Sequence, residues 1–583
     1  MTIPSRLAAL TLTATLLSAG AAATPDARTV DNLRAFARLY GYVRFFHPSD
    51  EAAGVDWDAF AVYGAAKVMA VDAGGDLAAA LRELFVPVAP TLRVFPAGEE
   101  PPPPAYDWPA STDGLQVVAW QHVGVGLGPG IYRSVRSHRG DAPLLFATLP
   151  EPGERIREKI GAGLVVDLPL ALWSDHATTL GKNPAFPAGP LLAELAAFNV
   201  GAAGDAAVHA GAVTVAWNVF QHFYPYFDVA GVDWNVQLTA RLAGALAARD
   251  AEEQYHNLRR LTAALADGHA NVYHPGLLSS RAGVPLRLAW VEGEVVVTAS
   301  GVDGVARGDV LASVDGEPAA ARLEREVELS SGTPQWRRHR ALWAVTSGDK
   351  DAPARLVVRR GGEELTVTAA RDRAAQPPPE FDRPSIDVLE EGVVYVDLRA
   401  ASIEEIEKRI DELAAAPGVV FDLRGYPNGN HAVLRHLTAG PIQSAKWNVS
   451  RIIYPDRKRI AGWRTDGRWT LTPAAPRLSG KLAFLTDGSA ISYAESVMGI
   501  VEAYRLAAIV GETTAGANGN VNPFQLPGGY RVTWTGMKVL KHDDSPHHLV
   551  GIAPTVPCTR TLAGVRAGRD EQLEKALEVV RGD

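Results

Sequence analysis

The segment Lys481-Leu-Ala-Phe-Leu-Thr-Asp-Gly-Ser-Ala-Ile-Ser492-Tyr-Ala-Glu-Ser-Val-Met-Gly-Ile-Val-Glu-Ala503 changes its period part-way along. Its first six residues are a short apolar run suited to a buried strand, and Asp487-Gly-Ser breaks the run with turn chemistry. From Tyr493 onward the apolar residues Val497, Val501 and Tyr504 return at helical spacing. The expectation is strand, turn, helix, with Ser492 at the junction. A serine there sits at the positive end of the helix dipole, beside backbone N–H groups that lack an intrahelical partner and suit an oxyanion. The same four residues, Ser492-Tyr-Ala-Glu495, also spell a capping box, in which Ser492 and Glu495 only finish the helix. On local sequence both readings stand.

The alternation continues on either side. Gly392–Leu398, Val419–Leu423, Lys481–Thr486 and Leu506–Val510 read as strands, and Ile403–Ala416 and Tyr493–Ala503 as helices. That pattern predicts an α/β domain with a largely parallel sheet over 383–583. Upstream, 283–372 is a run of strands around tight turns, set off by Pro377-Pro-Pro379.

Two further segments repeat one another. Tyr40-Gly-Tyr-Val-Arg-Phe-Phe-His-Pro48 with Gly54-Val-Asp-Trp57 matches Phe220-Gln-His-Phe-Tyr-Pro225 with Gly231-Val-Asp-Trp234. Each is followed by an alanine- and leucine-rich helical stretch, so a duplicated helical unit packed by its aromatics is expected over 27–100 and 190–280. Between the copies, 101–180 shows short apolar runs with Gly and Pro punctuation, the mark of a β-rich module. Overall the chain is expected to be multidomain α/β (α+β in sum).

The N-terminus reads as an address. Met1–Arg6 is basic, Leu7–Leu17 apolar and Ser18–Ala23 small, the three parts of a secretory signal over 1–23, with an apolar run too short to span a bilayer. An exported, periplasmic or secreted protein without a membrane span is expected. A net charge of −9 and the lack of a basic, aromatic-interleaved cluster argue against nucleic acid as a partner. Cys558 is the only cysteine, which excludes intramolecular disulfides and a cysteine-rich zinc site. Its extended context, Pro554-Thr-Val-Pro-Cys558, marks it as structural. His542, His547 and His548 with Asp543 and Asp544 bear the residue types of a zinc site, but without its helical spacing. They are read as a solvated polar loop, and neither metal nor cofactor is expected.

A larger ordered set carries a resemblance. Arg307-Gly-Asp-Val-Leu-Ala-Ser-Val-Asp-Gly316 resembles a PDZ domain, which binds peptides by adding them to a sheet edge. Behind it come Asp422-Leu-Arg-Gly-Tyr-Pro-Asn-Gly429, the Ser492 segment, Val510-Gly-Glu-Thr-Thr-Ala-Gly516, Leu526-Pro-Gly-Gly529 and Gly551-Ile-Ala-Pro554. This set, over about 250–583, resembles the carboxy-terminal processing (tail-specific) serine proteases, the tricorn core protease and the retinoid-carrying interphotoreceptor protein. The resemblance implies a catalytic domain related to crotonase and Clp protease, peptide or protein substrates, and Ser492 as nucleophile. The lysine base of the tail-specific members falls on Ala517. Leu265-Ala-Asp-Gly-His269 instead resembles the Asp-x-His motif of the tricorn-like branch, which implies His269 as general base and acid. For the orienting acid, Asp544, Glu495 and Glu512 are the candidates. For the oxyanion hole they are the N–H groups of Tyr493 and of Asn428 or Gly429. The same fold also admits a non-catalytic peptide- or hydrophobic-ligand-binding protein, or an esterase or amidase. The sequence leaves the oligomeric state open.

Overall fold

The computed structural model describes residues 25–104, 106, 109–126, 130–138 and 144–582, so the proposed signal 1–23 lies outside the described residues. Six strands form the central sheet, in the order Ile386–Val388, Val394–Asp397, Gly418–Asp422, Lys481–Thr486, Ala508–Gly511, Val556–Pro557. All pairs are parallel except the first, which is an antiparallel edge. Alternate residues divide between two cores. Val396, Val419, Phe421 and Phe484 face Met498 and Val501 of the helix Tyr493–Tyr504. Tyr395, Val420, Ala483 and Leu485 face Leu573, Ala576 and Val580 of the helix Glu571–Arg581. Burial on both faces is why these strands are continuous apolar runs in the sequence.

The duplicated motif has a physical meaning. Asp56 and Asp233 are the N-caps of helices Trp57–Met69 and Trp234–Ala247, each carboxylate accepting from two backbone N–H groups of the first turn. The two copies pack into one core, in which Tyr40, Phe46, Phe60, Phe220 and Trp234 are buried. Trp217 and Trp234 donate their indole N–H groups to each other's carbonyl, at 2.8 and 3.1 Å.

The segment 283–372 folds as an antiparallel sheet in the order Glu363–Ala369, Ala354–Arg360, Val310–Val314, Glu294–Ser300, Leu286–Val291, with its own core. Helix Pro334–Leu342 packs beside the edge strand Leu286–Val291.

Two pairings cross the boundaries suggested by the sequence. Strands Gln116–Val123, Arg133–His138 and Ala171–Ser174 do not close a module of their own. They share a sheet with Lys446–Ile452, Gly462–Asp466 and Lys538–Leu540 from the far half of the chain. The strand Asn271–Tyr273 pairs with Tyr530–Thr533, Asn271 opposite Thr533. A short alternating strand specifies which face it buries but not its partner, so neither pairing is legible locally. The second pairing carries residue 269 into the α/β domain.

Candidate active site

Ser492 stands between the strand Lys481–Thr486 and the helix Tyr493–Tyr504 with φ 59° and ψ −110°. For a non-glycine residue this conformation costs about 1–3 kcal/mol and persists only where the surroundings impose it. The imposing contacts are visible: its N–H donates to the Ala517 carbonyl at 2.9 Å, and its own carbonyl accepts from Ser496 N–H at 2.9 Å. Its side chain makes no capping hydrogen bond. The capping-box alternative therefore fails on both members, because Glu495 does not reach back to the turn either. The Glu495 carboxylate is buried and accepts from the Thr514 hydroxyl, from Gly516 N–H at 2.7 Å and from Ala517 N–H at 2.8 Å, with His547 Nε2 3.3 Å away. Burial alone would raise its pKa; attraction to His547 and the hydrogen bonds from Thr514 and Gly516 outweigh that and hold it below the ordinary value. Glu495 thus clamps the loop whose Ala517 carbonyl fixes Ser492.

His269 arrives from the other side. Its Nδ1 lies 2.8 Å from the Thr535 hydroxyl, which donates to Asp267 Oδ1 at 2.7 Å. The Asp267 carboxylate, fully buried, also accepts from Thr535 N–H at 2.7 Å and His269 N–H at 3.0 Å. These bonds fix the tautomer. The Thr535 proton points at the carboxylate, so the hydroxyl oxygen can only accept from Nδ1–H, which leaves Nε2 with its lone pair. Burial lowers the His269 pKa, while Asp267 and Glu495 pull it up in part. The ring is therefore a neutral base at pH 7.

The two halves meet at Gly268. A β-carbon there would lie 2.7 Å from Ala517 Cβ and 3.2 Å from Ile491 Cδ1, the residue before the serine. Ala517, at the position of the absent lysine, is buried in a cluster with Ile491, Ala515 and Trp336. Lys538 and Lys541 are paired elsewhere, with Asp228 and Glu502. Ser492 Oγ and His269 Nε2 make no hydrogen bond to each other among those of the described residues.

The other sequence candidates separate. Tyr493 is the first helical residue, and its N–H has no intrahelical partner. Asn428 N–H is committed to the Leu398 carbonyl at 2.8 Å, which leaves Gly429, exposed at φ 65°, as the donor of that loop. Asp544 is on the surface, paired with Lys446, and is not brought to His269. Glu512 stands beside Asp487, and burial and that like charge raise its pKa; it does not touch His269. The reading of 542–548 as a solvated loop is corrected. His547 and His548 are buried, the first against Glu495 and the second stacked on Tyr226 at 3.8 Å, while His542 bonds the Gln443 carbonyl at 2.7 Å. Cys558 continues a strand pairing through Gly511, and burial raises its pKa, as befits an inert thiol. Sequence reasoning missed Thr535 and the part played by Asp267. Asp267 stood in the quoted Asp-Gly-His motif, but nothing local connects it to a threonine 268 residues away.

A parallel α/β sheet carrying a strained serine at a strand-to-helix turn defines the class, and the chain is a serine-type peptidase. Residues 392–558 match the model of Peptidase family S41. No curated protein matches the chain. Among solved structures, mature CPAF complexed with lactacystin is similar in fold, with a TM-score of 0.52 at 14% identity, over 65% of this chain and 99% of that one. Mature CPAF alone gives 0.51 at 16% identity over 65% and 98%. Covering 65% of the chain, these likenesses extend beyond the matched residues 392–558, and at such identity they concern the fold only.

Proposed function

We propose that the chain is an exported peptidase of the Ser/His branch that cleaves peptide or protein substrates through an acyl-enzyme. The observation that carries this reading is the Ser492 backbone, held at φ 59° and ψ −110° with its hydroxyl released from capping. Strained strand-to-helix turns of this kind present a nucleophile. Ser492 Oγ attacks the scissile carbonyl as His269 Nε2 takes its proton, and the oxyanion is held by the N–H groups of Tyr493 and Gly429. Collapse breaks the C–N bond, and Nε2 returns the proton to the leaving amine. A water then repeats the sequence on the ester and frees Ser492. Thr535 and Asp267 are positioning residues that keep Nδ1 protonated.

The PDZ-like unit supports a role in presenting a chain end. Its edge strand Leu286–Val291 lies beside helix Pro334–Leu342, the arrangement that admits an added strand. That helix is tied to the site: Thr333 donates to the Ala515 carbonyl at 2.7 Å, Gln335 to that of Thr514 at 2.8 Å and Trp336 to that of Gly268 at 2.9 Å. The leader pattern of 1–23 supports export, and no helix among the described residues is long and apolar enough to cross a membrane. Recovery of an unprocessed chain solely from the cytoplasm would remove export from the proposal.

The test is labelling with a fluorophosphonate and mass-spectrometric mapping of the adduct. The expected result is an adduct on Ser492 that is lost in Ser492→Ala and in His269→Ala. A folded wild-type chain that does not label would overturn the reading in favour of a binding protein.

A further inference from the structure

Beside the nucleophile is a group of rings that the catalytic steps do not use. Tyr493 follows Ser492 directly, and its ring meets Tyr426 at 5.8 Å, Trp469 at 5.5 Å and His431 at 5.7 Å. His431 stacks on Trp469 at 4.3 Å, and Trp447 closes edge-on at 5.2 Å. These rings come from four separate places in the chain: the loop after strand Gly418–Asp422, the start of the nucleophile helix, the strand Lys446–Ile452, and the segment after strand Gly462–Asp466.

The assembly is rigid on one side and open on the other. The Tyr493 hydroxyl accepts from the backbone N–H of His431 at 3.0 Å and is hydrogen-bonded to His431 Nδ1 at 2.7 Å, which locks both rings. The backbone N–H of Trp469 donates to the Ser444 hydroxyl at 3.0 Å. Tyr426, by contrast, is 57% exposed, and none of the four larger rings has a cation over its face among the described residues. An exposed ring backed by locked rings is a preformed apolar surface, and a preformed surface discriminates without an ordering cost.

Its position assigns its use. Tyr493 contributes one oxyanion N–H, and Tyr426 lies three residues before Gly429, which contributes the other. The wall is therefore carried by one donor residue itself and by the loop that holds the other donor. Resting on the peptidase reading, we infer that Tyr426, Tyr493 and Trp469 form the specificity wall for the side chain of the residue whose carbonyl is attacked, and that this side chain is aromatic or large and apolar. Ring-on-ring contact rewards an aromatic side chain beyond its buried area, whereas a carboxylate there loses hydration and meets the negative faces of the rings.

The test uses the mature full chain and fluorogenic peptides that differ only at the residue preceding the scissile bond: Phe, Leu, Ala, Lys and Glu. The expected wild-type result is kcat/KM for Phe and Leu at least about tenfold above Ala, and higher still above Glu, with Lys below Phe and Leu, within the discrimination an apolar pocket supplies. In Tyr426→Ala the Phe-to-Ala ratio falls about tenfold, and Tyr426→Phe restores it. Because each ratio is taken within one enzyme, a reduced folded fraction cancels. A wild type that labels with fluorophosphonate but prefers Ala, Lys or Glu overturns the wall and leaves the peptidase reading standing. An unchanged ratio in Tyr426→Ala also overturns it. A wild type that neither labels nor cleaves overturns both.

Discussion

Thr535 links a buried carboxylate to the base, and Thr535→Val isolates that link. Valine fills the same space, and the backbone bond from residue 535 to Asp267 Oδ2 at 2.7 Å is retained. What disappears is the hydroxyl between His269 Nδ1 and Asp267 Oδ1, with its two bonds of 2.8 and 2.7 Å. Nδ1–H then loses its acceptor, and Asp267 loses one of its three donors. A hydrogen bond linked to a charged group contributes about 1.5–3 kcal/mol. If that free energy is what holds the reactive tautomer, its loss slows acylation roughly 10- to 150-fold, at 1.36 kcal/mol per decade. The assay is the second-order rate of fluorophosphonate labelling across pH, with melting temperature as a control. In the wild type the rate falls with acid as Nε2 takes a proton; since burial lowers the His269 pKa, that limb lies below 6.5. Thr535→Ser should restore most of the rate. A Thr535→Val protein that labels within twofold of wild type at pH 7.5 would refute the reasoning.

Two other consequences concern stability and packing. His47, His122 and His222 are buried in and around the helical core, and burial lowers their pKa values from 6.5 to about 3, about 4 and about 3. The unfolded chain therefore binds protons first: stability is intact above 6.5 and declines as pH falls toward 3–4. Each histidine contributes about 1.4 kcal/mol per pH unit, or ~4 kcal/mol for the three at pH 5.5. Denaturant titrations that give equal stability at pH 7.5 and 5.5 would contradict this. Gly268→Ala places a β-carbon 2.7 Å from Ala517 Cβ and 3.2 Å from Ile491 Cδ1, at the contact between the His269 and Ser492 segments. Overpacking there should cost about 1–3 kcal/mol and slow labelling at least about tenfold, because the base is pushed from the serine. Labelling at the wild-type rate would mean that the contact does not position His269.

What could be read in advance was local. The change of period at 481–503 identified strand, turn and helix because both periods are properties of a few consecutive residues. The same holds for the repeated Val-Asp-Trp, whose aspartates cap the helices they precede. Glu495 shows where such reading stops. Three residues after Ser492 it has the spacing of a capping box, yet its carboxylate turns to the N–H groups of Gly516 and Ala517, two donors that only the folded loop supplies. His547 and His548 are polar in a polar stretch, and their burial comes from packing against Glu495 and Tyr226.

The sequence alone determined the α/β alternation, the duplicated helices and the serine at its turn, because backbone geometry and side-chain period act over distances of a turn or a strand. Only the tertiary structure decided the Asp267–Thr535–His269 chain, the wall around Tyr493 and the sheet joining 116–174 to 446–466. Each depends on how segments distant in the chain are set against one another. Register is set by the summed packing of whole elements, a quantity that no short window of sequence contains.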